Sequence, residues 1–352
     1  MKIVVTGASG NVGTSVLTAL GADPGVREIV GLARRPPAGR TEKTTWVPGD
    51  VADADLTTLF RGADAVIHLA WLIQPSRDQA TLWRANVEGS ARVFHAVAAA
   101  GVPTLAYASS VGAYSPGPKD REVDEGWPTG GIDSSYYSRQ KAEVERHLDR
   151  FEKEAPGCRV VRLRPGLIFK RDAATEIRRY FAGPFLPDLL VRHRGLLPLL
   201  PLTTGLVFQA VHSLDVGEAF RLAVTTDSAH GAFNVAADPV LDPARLAALV
   251  GARPVKVPAK VLRAAAAATW KARLQPSSPG WLDMALMVPL MDTTRARQEL
   301  GWTPRRTSEE ALSELLDGMG HGAGYDTPPL SPDSSGPFRF RELLSGVGAR
   351  SR

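Results

Sequence analysis

Glycines at 7, 10 and 13, in the run Thr6-Gly7-Ala8-Ser9-Gly10-Asn11-Val12-Gly13, have a spacing that suits a pyrophosphate. That ligand needs a tight turn, a backbone close enough to touch the phosphates, and a helix N-terminus aimed at them. Glycine-rich turns are common. This one follows a strand-like segment, Lys2 to Thr6, and opens a helix-like one, Gly13 to Leu20, which is the context that dinucleotide binding requires. Two further groups could do chemistry. Tyr137 and Lys141 stand four apart in a segment of helical pattern, so a phenol and an ammonium share one face. Ser109-Ser110 ends the strand-like segment Leu105 to Ala108, and a doubly wound sheet gathers its ligands outside such strand ends.

The second strand-like segment, Glu28 to Ala33, ends about 20 residues beyond the glycine turn, where an acidic side chain would bind the ribose 2′-hydroxyl of NAD. Arg34-Arg35 stand there instead. A guanidinium suits a 2′-phosphate, which favours NADP with NAD as the alternative, unless both arginines are merely a solvated loop. Asp50, after Pro48-Gly49, could accept from the adenine amine or cap the turn into Val51 to Phe60.

The elements that must carry these groups alternate along the first half. Strand-like Ala65 to Leu69 is followed by helical Asn86 to Ala100, with Gly101 where a C-terminal cap belongs. The charged amphipathic helix Tyr137 to Lys153 precedes a strand, Arg159 to Leu163. This alternation predicts an α/β, doubly wound parallel sheet, Rossmann-like and covered on both faces, with a smaller C-terminal substrate-binding region. In the second half Ala264 to Trp270 and Thr307 to Leu316 read as helices, and Gly318 to Pro337, rich in Gly, Ser and Pro, reads as poorly ordered.

Composition removes other classes. The chain has 352 residues, 44% hydrophobic and 22% charged, which fits a globular protein of roughly two domains at ~150 residues each. A formal charge of +5 does not call for nucleic acid. Cys158 is the single cysteine, so no intramolecular disulfide can form. Seven histidines without metal-ligand spacing make a metal site unexpected. No targeting segment is evident, and the cytoplasm is the expected location. The longest apolar stretch, Gly195 to Val211, contains Pro198 and Pro201 and at ~17 residues is marginal for a span. It reads as buried or pocket-lining rather than as stable membrane insertion.

Taken in order, the segments TGASGNVG (6–13), GDV (49–51), HLAW (68–71), NVEG (86–89), YASSVGAY (107–114), YSRQK (137–141), RPG (164–166), FNVA (233–236) and LGWTP (300–304), with the segment around His212 and Asp215, resemble the extended short-chain dehydrogenase/reductases of the NAD-dependent epimerase/dehydratase family, over roughly residues 1–316. The resemblance implies roles. Tyr137 would be the general acid/base, its phenol (pKa ~10 when free) made more acidic by Lys141 and by the nicotinamide charge. Lys141 would also bond the nicotinamide ribose, and Ser110 would hold the substrate oxygen. Asn86 would support Lys141 through structure or water, or serve only as a helix cap before Val87; His68 reads as structural. Gly7, Ser9, Gly10, Asn11, Val12, Gly13, Arg34, Asp50, Val51, Leu69, Ala70 and Pro165, together with Tyr137 and Lys141, would hold the cofactor. A homodimer through the helices bearing Asn86 and Tyr137 is expected by analogy.

The implied organisation is a dinucleotide-binding domain over 1–165 with returning segments near 205–236, a mainly substrate-binding region over 166–316, and a tail over 317–352. Two departures bear on the substrate. Arg164-Pro165-Gly166 replaces the aromatic-Phe-Asn triplet of many nucleotide-sugar members, and Ser278 to Asp283 lacks their diphosphate-clamping arginine; nothing in the sequence shows Arg273 in its place. The substrate half instead offers Leu196-Leu197, Leu199-Leu200, Leu206-Val207-Phe208, Trp270, Trp281, Met284, Met287 and Met291, an apolar wall or simply core. Arg192-His193-Arg194 and Arg178-Arg179 could bind an anion but read as solvated charges. The leading expectation is an NAD(P)-dependent oxidoreductase interconverting a secondary alcohol and a ketone on a small, fairly apolar metabolite. The alternatives are a nucleotide-sugar epimerase or dehydratase with tightly held NAD, and a cofactor-sensing regulator, which the Tyr–Lys pair disfavours.

Overall fold

Short runs of β-branched and aliphatic residues build the centre of the molecule. Lys2–Thr6 (β1), Glu28–Ala33 (β2), Thr44–Pro48 (β3), Ala65–His68 (β4), Thr104–Ala108 (β5), Arg159–Pro165 (β7) and Gly231–Val235 (β11) form one parallel sheet in the order β11-β7-β5-β4-β1-β2-β3. The structure, a computed structural model, describes residues 1–39, 41–73, 77–179 and 198–331. Central strands such as β1 and β4 are almost wholly buried, as a parallel sheet covered on both faces requires. Chain order reverses between β1 and β4, which opens a crevice outside their C-terminal ends.

The helices, in chain order, are Asn11–Ala22 (α1), Leu56–Phe60 (α2), Gln79–Trp83 (α3), Gly89–Ala99 (α4), Tyr136–Glu154 (α5), Ala174–Ile177 (α6), Ser213–Thr225 (α7), Pro243–Leu249 (α8), Ala259–Lys271 (α9), Pro279–Met287 (α10), Thr294–Glu299 (α11) and Ser308–His321 (α12). They divide the core into two layers. On one face Val16 and Leu20 of α1 and Phe220 of α7 pack with Trp302 under β1. On the other, Phe94 of α4 and Leu148 and Phe151 of α5 pack with Phe60 and Tyr107. Each large side chain buried in this way contributes about 1.5–3 kcal/mol. Gly217 lets α7 approach α1 closely, since a Cβ there would lie 2.5 Å from the Ser15 carbonyl oxygen.

Outside the main sheet lie smaller ribbons. Phe208–His212 (β10) joins Leu167–Phe169 (β8) and Ala237–Leu241 (β12); Leu199–Leu202 (β9) pairs with Arg253–Lys256 (β13); and Glu122–Val123 (β6) pairs with Leu290–Met291 (β14). Residues 198–211 of the long apolar stretch thus form β9, a turn and most of β10. Among the described residues no helix is long and apolar enough to cross a membrane.

Two elements differ from the sequence reading. The helix expected from Asn86 begins as a π-helical turn, Arg84–Glu88, continuous with α3 before it, so Asn86 lies inside a helical run and is not its cap. The stretch from Gly318, expected to be poorly ordered, continues α12 to His321 and then packs: Leu330 is fully buried and Thr327 donates to the Ser9 carbonyl at 2.8 Å. Gly318 allows close approach rather than breaking the helix, because a Cβ there would meet the Arg171 carbonyl oxygen at 2.5 Å. Residues 332–352 lie outside the described residues.

Candidate functional site

The glycine turn closes at the crevice where the sheet reverses. Gly7 has φ +73°, and a Cβ on it would lie 2.7 Å from the Ala70 nitrogen, so Leu69-Ala70 rests directly on the turn. A Cβ on Gly13 would lie 2.4 Å from the Gly7 carbonyl oxygen. Gly10 caps α1 with no side-chain acceptor, leaving the first N–H groups of the helix without a side-chain cap. Asn11 donates to the Ile168 carbonyl at 3.5 Å, while its Oδ1 is buried with no hydrogen-bond partner. Ser9 is buried beneath Thr327, and Val12 packs on the core. Uncapped N–H groups at the start of a helix behind a glycine turn suit backbone-bound phosphates, the part of a dinucleotide that such a turn can hold.

Lys170 and Thr327 were not visible as neighbours of this turn. Lys170 donates to the Asn11 carbonyl at 3.1 Å and to the Thr14 hydroxyl at 2.6 Å, 156 residues apart in sequence. Burial lowers its pKa to about 8. Exposed Arg34 follows β2, and its Nε lies 3.8 Å from Asp50 Oδ2 beyond β3. Asp50 also accepts from the Ala52 N–H, and Val51 is buried behind it. Pro165 ends β7, buried beside Val235.

The candidate catalytic groups cluster at the start of α5. Ser135 caps that helix, and Tyr137 and Lys141 sit one turn apart on its inner side. Burial pushes the Tyr137 phenol up to about 12, opposed by a hydrogen bond with Ser110. The Ser110 hydroxyl accepts from the Gly112 N–H at 3.0 Å, and Gly112 leaves space for Tyr137, whose Cε1 would be 2.9 Å from a Cβ there. Lys141 donates to the Ala108 carbonyl at 2.7 Å and to the Tyr107 hydroxyl at 3.3 Å, and its ammonium lies 3.5 Å from the centre of the Trp71 ring. Burial holds its pKa well below that of a free lysine, partly offset by Glu145.

Asn86 acts one layer behind. Its side chain accepts from the Leu72 N–H at 2.7 Å and donates to the Leu72 carbonyl at 3.1 Å and to Gln140 Oε1 at 2.9 Å. It therefore clasps the backbone beside Trp71. His68 bonds Thr6 and Ser90, and burial drops its pKa to about 3, so it is a neutral structural group. His212 and Asp215 likewise hold structure: His212 contacts Glu314 and the Leu214 N–H, and Asp215 accepts from Arg306 N–H and, through its carbonyl, from Trp302.

Sequence reasoning missed a buried charge network beneath the site. Glu145, one turn beyond Lys141, receives two bonds from Arg164 (2.9 and 3.0 Å), one from Arg162 (2.8 Å) and one from Ser109 (2.5 Å). Burial would raise the Glu145 pKa; Arg164 and Arg162 instead hold it down to about 2. Arg164 continues to the Tyr114 hydroxyl, which donates to Asn234. The i, i+4, i+8 spacing of Tyr137, Lys141 and Glu145 on one helix was the available signal.

Of the candidate apolar wall, Trp281 and Met284 reach Tyr137. The Trp281 ring lies 5.0 Å from that of Tyr137, and Trp71 meets Tyr137 edge-on at 5.9 Å. Met284 packs with Ile132 and Val288 against Tyr137 and Trp281. Gly280 brings α10 onto the start of α5, since a Cβ there would lie 2.2 Å from the Ser134 carbonyl oxygen. Met291 is buried elsewhere with Tyr114, Trp270 stacks under Arg77 at 4.3 Å, and Met287 is exposed. Leu196-Leu197 and Arg192-His193-Arg194 lie outside the described residues.

A family model described as the NAD dependent epimerase/dehydratase family matches residues 3–236. An uncharacterised protein of Mycobacterium tuberculosis is 28% identical over 319 residues, 90% of this chain and 30% of that protein. The chain therefore spans less than a third of the length of the first curated relatives it matches. A 3-beta-hydroxysteroid dehydrogenase of Mycolicibacterium neoaurum is 28% identical over 189 residues, 51% of each. Among solved structures, the Thermus thermophilus UDP-glucose 4-epimerase complex with NAD superimposes with a TM-score of 0.67 at 23% identity, covering 92% of this chain and 100% of that one. The shared fold is the Rossmann-like α/β architecture described above.

Proposed function

The chain belongs to the NAD-dependent epimerase/dehydratase family, and from that premise we propose that it is an NAD(P)-dependent oxidoreductase that interconverts a secondary alcohol and a ketone on a small, fairly apolar metabolite. The observation that carries this reading is the enclosure of Tyr137 by Trp71, Trp281 and Met284, an apolar surround beside a phenol that Ser110 reaches.

In this reading Gly7, Gly10 and Gly13 admit the pyrophosphate, with Ser9, Asn11 and Val12 shaping the turn and Leu69-Ala70 roofing it. Asp50 and Val51 face the adenosine end, and Pro165 closes the nicotinamide end. A bound nicotinamide would supply the hydride donor or acceptor. The Ser110 hydroxyl orients the substrate oxygen, and the Tyr137 phenol exchanges a proton with that oxygen. The Lys141 ammonium stabilises the phenolate that remains. Asn86 positions this set by fixing the backbone under Trp71. Residues 1–165, with the returning α7 and β11, serve the cofactor, and much of 166–316 serves the substrate.

Exposed Arg34 at the end of β2 supports NADP, with NAD as the alternative. The reading further includes a cytoplasmic location and a homodimer through α4 and α5, next to which Trp83 stands exposed. The other reading, a nucleotide-sugar epimerase or dehydratase holding NAD, draws on the likeness in fold to the Thermus thermophilus epimerase. One experiment separates the two. The purified chain is denatured and any released dinucleotide identified, and intact protein is then titrated with NADPH and NADH. Exchangeable binding with NADPH the tighter is expected; tightly retained NAD would overturn the oxidoreductase reading.

A further inference from the structure

Positive charge and exposed apolar surface coincide in a part of the molecule that the site above does not use. From residue 243 to residue 282 the sequence contains seven Lys/Arg and no Asp or Glu. The whole chain carries only +5, so the remainder is net acidic. Among the described residues the three most exposed large hydrophobic side chains fall in or beside this block: Leu199 at 56%, Val261 at 55% and Leu274 at 52%. Leu199 opens β9, and Arg253 of β13 is its parallel partner. All four residues of β13 are exposed. Val261 belongs to α9, which has no buried residue at all.

The helix has two unlike faces. Spacings of four, three and four place Val261, Ala265, Ala268 and Ala272 in one stripe, and all four are exposed. Lys260 and Lys271 flank one edge of that stripe and are exposed as well. The inward side is engaged: Arg263 pairs with Asp283 at 2.8 Å, and Arg77 stacks on Trp270. An exposed apolar line edged by lysines is one feature of helices that lie in the plane of a bilayer interface, although such helices carry larger apolar residues than this one. Its alkyl stems follow the apolar stripe while the ammonium groups reach the headgroups.

We propose that α9 and the β9–β13 ribbon form a surface that adsorbs on anionic lipid bilayers. The charge block supplies the complementarity, and the exposed Leu199, Val261 and Leu274 favour lipid over nucleic acid, whose binding surfaces set aromatic platforms among their cations. Because the stripe is mostly alanine, attraction to the headgroups dominates and the binding is salt-sensitive. The proposal does not depend on the reaction assigned above, although α9 packs on α10, the helix that presents Trp281 and Met284 to Tyr137.

The test is sedimentation of the full chain with vesicles of phosphatidylcholine alone and with an equal part of phosphatidylglycerol. Binding to the anionic vesicles, released by high salt, is expected. Lys260→Glu with Lys271→Glu should weaken it at least about 25-fold, at about fivefold per cation lost. Val261→Asp should weaken it several-fold. Arg150→Glu with Lys153→Glu makes the same charge change at the far end of α5, where both residues are exposed, and should leave binding within about twofold. All these positions are exposed, and unchanged thermal melting confirms that each variant folds. Equal binding to neutral vesicles, equal loss with both double variants, or retention of the chain on duplex DNA that anionic vesicles cannot displace would each overturn the proposal.

Discussion

The two ends of the crevice are built on different principles. The glycine-turn end is made of backbone: Gly7 and Gly13 matter for the side chains they lack, and the contacts they permit lie within a few residues or on the adjoining strand. The end around Tyr137 is made of side chains drawn from Trp71, Ser110, Lys141, Glu145, Arg164 and Trp281, spread over more than 200 residues. The first depends on the absence of side chains within one turn; the second depends on side chains brought together from distant segments. A change at one end should therefore leave the other end working.

The strongest test is Tyr137→Phe. Loss of the proton donor should lower turnover about 10³-fold, with affinity for NAD(P)H within about twofold by fluorescence titration. A parallel loss of affinity would mean that the two ends are not separable. Next comes the buried network. Glu145→Gln removes the carboxylate that Arg164 pairs with, while Arg162 keeps Asp149 and Glu152, and should cost about 3–5 kcal/mol in urea unfolding. The same carboxylate has a pKa depressed from 4.5 to about 2. Its stabilisation should be complete above about pH 4.5 and fade as pH falls through about 2, and the Gln variant should lack that part of the acid sensitivity. A wild-type stability flat across that range would remove the network from the account.

Gly13→Ala drives a methyl group against the Gly7 carbonyl and should cost about 1–3 kcal/mol, read as a loss of NAD(P)H affinity of about fivefold to 150-fold. Trp281→Ala should raise the substrate KM about tenfold and leave the cofactor affinity unchanged. An effect on both would show that α10 shapes the whole crevice. The smallest expected change is Arg34→Asp, a drop of about fivefold in preference for NADPH over NADH, since the side chain is exposed and already near Asp50. An unchanged ratio would make the arginine a bystander.

How much of this was legible follows from how local each feature is. β1 and β2 fall where the sequence pattern puts them, from Lys2 to Thr6 and from Glu28 to Ala33, because an apolar run between turn signals is a local property. The Tyr137–Lys141 pair was legible because a single helix places both. The role of Asn86 was not, because the π-helical turn that aims it at Leu72 has no distinct pattern in the sequence. Arg164 could be noted only as a departure from a sugar-binding triplet; that it clamps Glu145 depends on how β7 lies against α5. Up to residue 331, the Gly- and Ser-rich stretch after α12 misled for the same reason: its composition suggested disorder, yet Thr327 bonds the Ser9 carbonyl 318 residues earlier and Leu330 is buried.

By itself, then, the sequence determined the parallel sheet, the glycine turn that can cradle phosphates and the pairing of a phenol with an ammonium, since each depends on spacings within one strand, turn or helix. Only the tertiary structure decided that Trp71 covers Lys141, that Trp281 and Met284 rather than Trp270 or Met291 face Tyr137, and that the basic helix α9 keeps its apolar stripe outward. Those choices rest on which surfaces exclude water together, and burial is a property of the packed chain rather than of any segment in it.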